Sequence, residues 1–194
     1  MLTLRPPLAA DIDAFIGRQR HTPFSYPPVG ATRDPAVTAI DGYVVDHHRV
    51  RLGDGERTFA RALDAVRRWE MFNIGWVTLC WPRTPIEDGR TVAILMPVFG
   101  VWSLNACRIV YTIDARGDVS RFGFAYGTLE DHMESGEERF SVEWNRHDDS
   151  VWYDLFAFSR PRHPLARLGR PISRAYQKRF ARDSLLAMTR ASVS

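Results

Sequence analysis

Between Val119 and Pro161 the chain alternates. Phe122, Phe124, Tyr126 and Thr128 interleave with Arg121, Gly123, Ala125 and Gly127, the period-two pattern of a strand with two unlike faces. Phe140, Val142 and Trp144 repeat the pattern, and Asn145 to Ser150 supplies turn chemistry before a third strand, Val151 to Phe158. This third segment is apolar on both faces except for Asp154, so it is expected between a second layer of structure and another surface that excludes water. The acidic stretch Glu130 to Glu138 reads as a solvated hairpin loop between the first two strands, turning at Ser135 and Gly136.

Elsewhere the period changes to that of helices. Leu8, Ile12, Phe15 and Ile16 share one side of a short helix over Leu8 to Arg20, which Pro6 and Pro7 open. The proline-rich loop His21 to Pro35 carries Phe24 and Tyr26, which need burial, so it is expected to pack on the body of the protein. Gly42 to Leu52 reads as a strand, and Gly53-Asp54-Gly55 as the turn into an amphipathic helix, Glu56 to Trp69, with Phe59, Ala62, Leu63, Val66 and Trp69 in its stripe. Strands follow at Ile74 to Trp81, Thr91 to Met96 and Val101 to Asp114. The last helix runs from near His163 towards Ala191, interrupted at Gly169-Arg170-Pro171. Its core face is expected to hold Ile172, Tyr176, Phe180, Leu186 and Ala187, with Arg179 and Asp183 inside that face.

This order predicts an α+β protein: a curved antiparallel sheet of six to seven strands gripping a long C-terminal helix. At 194 residues and 45% hydrophobic composition, one domain over residues 1–194 is expected, with the helix and loop of residues 1–41 packed on it. No apolar run reaches spanning length, and Arg5, Pro6 and Pro7 interrupt the place where a signal peptide would be apolar, which points to a cytoplasmic protein. Cys80 and Cys107 have no metal-type spacing and are expected as reduced thiols.

The net charge of +3 divides unevenly, +8 from Arg160 onward and −5 before it. A solvated helix explains this, with weak contact to an anionic surface as its consequence; sequence-specific nucleic-acid binding is not expected. Arg160, Arg162 and Arg167 crowd the start of the last helix, where a positive helix terminus disfavours cations, so they are candidates for sharing an anion. His132 among the acids of 130–138 lacks a second ligand cluster, and His47 and His48, adjacent on a strand, face opposite ways; no metal site is assigned. Phosphate-loop, dinucleotide, nucleophile-elbow and metalloprotease motifs are all missing, so no cofactor is expected.

The phrases FGFAYGTLEDHMESGEERF, SVWYDLFAFSRPRHPLARLGRP and QKRFARDSLLAM, with ALDAVRRWEMFNIGWV and WSLNACRIVYTID upstream, resemble the domain-of-unknown-function family nineteen-ninety of bacteria and plants over nearly the whole chain. That resemblance implies kinship with the START-like, Bet v 1-like helix-grip group, in which a curved sheet and the C-terminal helix enclose a cavity. Members bind lipids, hormones or polyketides, and a minority catalyse cyclisation or dehydration. The family brings no catalytic residues to carry over, so the candidates come from the pattern alone. Tyr111, Phe122, Phe124, Tyr126, Tyr153, Asp154, Tyr176, Arg179 and Asp183 are the cavity candidates, with Tyr153 and Asp154 on opposite faces of their strand so that only one points inward. Arg179 and Asp183 read as a buried pair; an inward acid without a partner would instead have a raised pKa suited to acid–base work. The leading expectation is a binder of a hydrophobic or amphipathic small molecule. A cofactor-independent enzyme and a docking module stand as alternatives, and the oligomeric state is open.

Overall fold

The computed structural model describes residues 1–34, 37–98 and 100–193, apart from the side chains of Leu165 and Arg167. Eight strands make a single antiparallel sheet: β1 (Leu2–Thr3), β2 (Val44–Asp54), β3 (Thr78–Cys80), β4 (Thr91–Val98), β5 (Val101–Ala115), β6 (Val119–Thr128), β7 (Glu134–Asn145) and β8 (Ser150–Pro161). Their spatial order is β2-β8-β7-β6-β5-β4-β3, with the two-residue β1 added to β5. Along that path β2 alone is out of sequence, pairing with β8 at the far edge. Four α-helices, α1 (Ala9–Gln19), α2 (Gly55–Arg67), α3 (Pro164–Leu168) and the 24-residue α4 (Arg170–Val193), and two single-turn 3-10 helices, Ala31–Arg33 and Glu70–Phe72, complete the described chain.

The two faces of the sheet are covered differently. Helices α2 and α4 cover the inner face, where Phe124, Phe140, Val142, Tyr153 and Leu155 meet Phe59, Ala62, Val66, Ala181 and Met188. Burying each large apolar side chain there stabilises by roughly 1.5–3 kcal/mol. On the outer face α1 sets Ile12, Phe15 and Ile16 against Ala93, Leu95, Leu104 and Leu129. The proline-rich loop covers the outer face farther along through Tyr26, whose ring stands edge-on to Phe158. A Cβ on Gly127 would lie 2.1 Å from the Tyr26 hydroxyl, so the bare backbone at 127 is the seat for that ring.

Four readings of the sequence are corrected. Glu130 to Glu138 is no solvated loop: β7 begins at Glu134, and Ser135 and Glu137 are 1% and 2% exposed. The Glu137 carboxylate accepts hydrogen bonds from Tyr26 Oη (2.6 Å), the Gly30 N–H (2.7 Å), the Thr32 N–H (3.0 Å) and the Thr32 hydroxyl. Four donors offset the cost of burying the acid. The segment Ile74 to Trp81 is a strand only at Thr78–Cys80, because Trp76 swings inward and donates to Asp183 at 3.0 Å.

The core face of α4 differs too. Its buried residues are Ala181, Ser184, Ala187, Met188 and Ser192, whereas Leu186 is 51% exposed. Small residues at i, i+3 and i+4 spacing let the helix lie close against α2 and the sheet, and Ser184 and Ser192 satisfy their hydroxyls on Tyr153 and on the Met188 carbonyl. Finally, Arg179 and Asp183 pair at 3.5 Å with half of the Arg179 side chain in solvent, so the pair is not buried.

Candidate functional site

Where α4 rises off the sheet near its N-terminal half, the two enclose a cavity of about 470 Å³. The walls follow from strand alternation. Inward positions of β4 bring Ile94 and Met96, those of β5 bring Ser103 and Asn105, and those of β6 bring Tyr126 and Thr128. Positions 134, 136 and 138 of β7, and 155, 157 and 159 of β8, continue the surface to Asp46 and His48 on β2. The roof is Ile172, Ser173, Tyr176, Gln177 and Phe180 of α4. Phe72 closes the deep end, its ring centroid 5.4 Å from Phe180, 5.7 Å from Phe140 and 6.2 Å from Tyr126. Trp76 and Tyr176, 5.7 Å apart, form an aromatic side wall.

Several polar groups line this otherwise apolar space, Glu138, Glu134, His132 and Asp46 among them. Tyr126 donates its hydroxyl to Glu138 Oε2 at 2.8 Å across the β6–β7 register pair. Glu138 lies deep in the molecule, and burial pushes its carboxyl up to about 7, only partly opposed by the Tyr126 hydrogen bond and reinforced by the negative charge of Asp46. Four residues away along β7, burial also lifts Glu134 to about 7 against a hydrogen bond from Ser173, and among the described residues its Oε2 has no partner. His132 accepts the Glu134 N–H on Nδ1 at 3.0 Å, and burial drops it to about 4, so it is a neutral imidazole at pH 7. Asp46 binds Arg174 of α4 in a two-pronged pair at 2.6 and 2.8 Å. That guanidinium, first through its hydrogen bonds, holds Asp46 below the usual carboxylate range.

Of the nine cavity candidates, Tyr126 and Tyr176 line the space. Tyr153 is on the same face but lies beneath α4 with its hydroxyl 3.0 Å from Ser184 Oγ. Phe122 and Phe124 belong to the packed core under α2, with Arg67 over Phe122 and Trp69 against Phe124. Tyr111 faces outward, because a β-bulge between Ile109 and Tyr111 shifts the strand's alternation, and it meets the Thr32 hydroxyl at 2.9 Å. Asp154 also faces outward, held by Arg139 at 2.9 Å and His47 at 2.7 Å. Arg179 and Asp183 sit on the outer flank of α4, stacked on and hydrogen-bonded to Trp76.

The anion candidates do not converge. Arg160 stacks 4.5 Å above the Tyr43 ring, and Arg162 lines a separate hollow with Arg18, Glu130 and Asp131. The side chain of Arg167 is outside the described residues. Among the described residues no three His, Cys, Asp or Glu side chains cluster to hold a metal ion, and no helix is long and apolar enough to cross a membrane.

Sequence reasoning missed Glu134 and Glu138 by assigning them to a loop. The signal was present: Glu134, Gly136 and Glu138 carry the alternation of Phe140, Val142 and Trp144 backward without a break.

The family described as Domain of unknown function (DUF1990) matches residues 25–187. A UPF0548 protein of Dictyostelium discoideum is 36% identical over 98% of this chain and 95% of its own. Another, from Deinococcus radiodurans, is 36% identical over 99% of both. Among solved structures, hypothetical protein jhp0584 of Helicobacter pylori aligns with a TM-score of 0.49 and 13% identity, covering 78% of this chain and 88% of that one. Ara h 8.0201 aligns at 0.47 and 8%, covering 78% and 99%. The family match over most of the chain, with relatives this similar along nearly all of it, places the protein in the DUF1990 family.

Proposed function

We propose that the protein binds an amphipathic small molecule between the sheet and α4. The observation that carries this reading is the cavity of about 470 Å³, walled mainly by Phe72, Trp76, Ile94, Met96, Tyr176 and Phe180 with a few fixed polar groups. Ligand sites are typically concave and largely apolar, with a small number of polar groups that orient the occupant. Native mass spectrometry of the purified protein is expected to reveal a co-purified small molecule. Titration of emptied protein with apolar probes is expected to change Trp76 fluorescence saturably. Recovery of bare protein together with no saturable response to any probe would overturn the reading.

One observation favours a second reading, a cofactor-independent enzyme. Glu138, pushed up to about 7 and bonded to the Tyr126 phenol, can take up and release a proton at neutral pH. Tyr126 would position the carboxyl and Glu138 would exchange the proton with a bound substrate. Recovery of every bound compound unchanged supports the binder. Conversion that drops about 100-fold or more in Glu138→Gln, with affinity retained, supports the enzyme.

A further inference from the structure

We infer that the occupant of this cavity carries a protonated amine, seated against the Glu138 carboxylate on the aromatic floor formed by Phe72 and Tyr126. The inference rests on the ligand-binding reading above and names the class of its ligand.

Asp46 has cations around it: Arg174 pairs with it directly, and His48 and Lys178 act on it from β2 and α4. Glu134 also feels Arg174 and has Ser173 as a donor. Glu138 has neither. Among the described residues its donor is the neutral Tyr126 hydroxyl, and the charged group that acts on it, Asp46, is of like sign. Three basic side chains line the same cavity: His132 is neutral and spends Nδ1 on the Glu134 N–H, while His48 and Lys178 act on Asp46 and are not among the groups that shift Glu138. The deep end of the cavity therefore offers a carboxylate that lacks a counter-ion, bordered by ring faces.

That is the environment an ammonium group needs. The carboxylate supplies a charge-assisted hydrogen bond, and the rings of Phe72 and Tyr126 supply cation–π attraction. A carboxylate or phosphate headgroup at that position would be repelled by the ionised Glu138. The apolar body of the ligand would extend towards Trp76, Tyr176 and Met96, which line the rest of the space.

The test compares three probes of equal length, decylamine, decanol and decanoate, by calorimetry at pH 8 on the full chain. The wild type is expected to bind decylamine at least about tenfold more tightly than decanol, the gain typical of a hydrogen bond to a charged group, and decanoate least. Glu138→Gln is expected to erase the amine preference while leaving decanol affinity within about twofold. Glu134→Gln is expected to keep most of it, because that residue lies roughly 13 Å away along β7. In the wild type the preference should shrink towards pH 6 as Glu138 takes up a proton. The groups acting on or acted on by Glu138 are Tyr126 on β6, Asp46 on β2, Cys107 on β5 and Tyr153 on β8, and His48 on β2, His132, Glu134 on β7 and Lys178 on α4 line the same cavity; the two tyrosines and Cys107 are pushed upward by burial and stay neutral in that range. Equal binding of amine and alcohol, tighter decanoate, or a preference that survives Glu138→Gln overturns the inference while the cavity reading stands. Failure of all three probes to bind overturns both. Thermal unfolding of each variant separates a lost site from a lost fold.

Discussion

Two tyrosines on one face of the sheet have unlike roles. The Tyr153 hydroxyl meets Ser184 of α4 inside the core, while the Tyr126 hydroxyl meets Glu138 at the cavity. Tyr153→Phe is expected to lower stability by about 1 kcal/mol, the usual net worth of one neutral hydrogen bond, and to leave ligand affinity unchanged. A denaturant melt beside a binding titration checks both halves; a larger effect on affinity than on stability would contradict this placement. Tyr126→Phe removes the hydrogen bond that pulls the Glu138 carboxyl down, so that group should titrate above its present value of about 7. Carbon-13 NMR of the glutamate carboxyls across pH 5 to 9 would show it, and an unmoved or lowered midpoint would count against the Tyr126–Glu138 bond.

At the scale of elements, β7 is the organising strand because its two faces serve different purposes. Inward, Glu134 and Glu138 reach the cavity; outward, Glu137 gathers Tyr26, Gly30 and Thr32 and ties the proline-rich loop to the sheet. Gly127 on the neighbouring strand makes this possible by leaving room for the Tyr26 ring. Gly127→Ala is expected to displace Tyr26, leave the buried Glu137 short of a donor and cost on the order of 2–3 kcal/mol. Limited proteolysis should then cut within residues 21–34 well before the rest of the protein. Unchanged stability and cleavage would mean that the loop is held by something other than this notch.

Over the whole molecule, buried titratable groups tie stability to pH. The Glu138 carboxyl is raised from 4.5 to about 7. The native state therefore binds more protons than the unfolded chain in that window, and this contribution is full below 4.5 and lost as pH rises through 7. Glu134 acts in the same sense. His132, lowered from 6.5 to about 4, acts oppositely, because the unfolded chain is the one that binds more protons between those values. Glu138→Gln should thus gain stability relative to wild type on going from pH 5 to pH 8, by up to roughly 3 kcal/mol. Paired melting curves at the two pH values test this, and a parallel shift at both would refute it. The basic segment from Arg160 onward also acts at this scale. Arg174 is engaged by Asp46, Arg179 and Arg182 by Asp183, and Arg160 by a ring. Binding to DNA or anionic vesicles is accordingly expected to be weak at low salt and absent by about 0.2 M, beyond which exposed charges are well screened. Salt-resistant binding would require a preformed anion site.

What the sequence determined by itself is whatever periodicity encodes. The alternation of Phe122 to Thr128 and of Phe140 to Trp144, the stripe of α2 and the run of strands before a long last helix were legible, because each records which side of an element is dry. That was enough for an antiparallel sheet closed by a C-terminal helix. What only the tertiary structure decided is which polar residues share an interior. The acids at 134, 137 and 138 looked solvated because local sequence does not show the distant donors that make their burial tolerable: Tyr26, Gly30 and Thr32 for one, Tyr126 and Ser173 for the others. The bulge at Ile109/Tyr111 turned Tyr111 outward, and Arg139 with His47 drew Asp154 to the outer face. The alanines and serines of α4 carry no apolar signal, yet close approach to the sheet and α2 is what their size permits. Periodicity specifies faces; the partners that face each other across the fold come from parts of the chain as much as 131 residues apart, as Arg61 and Ser192 are, and only the folded chain brings them together.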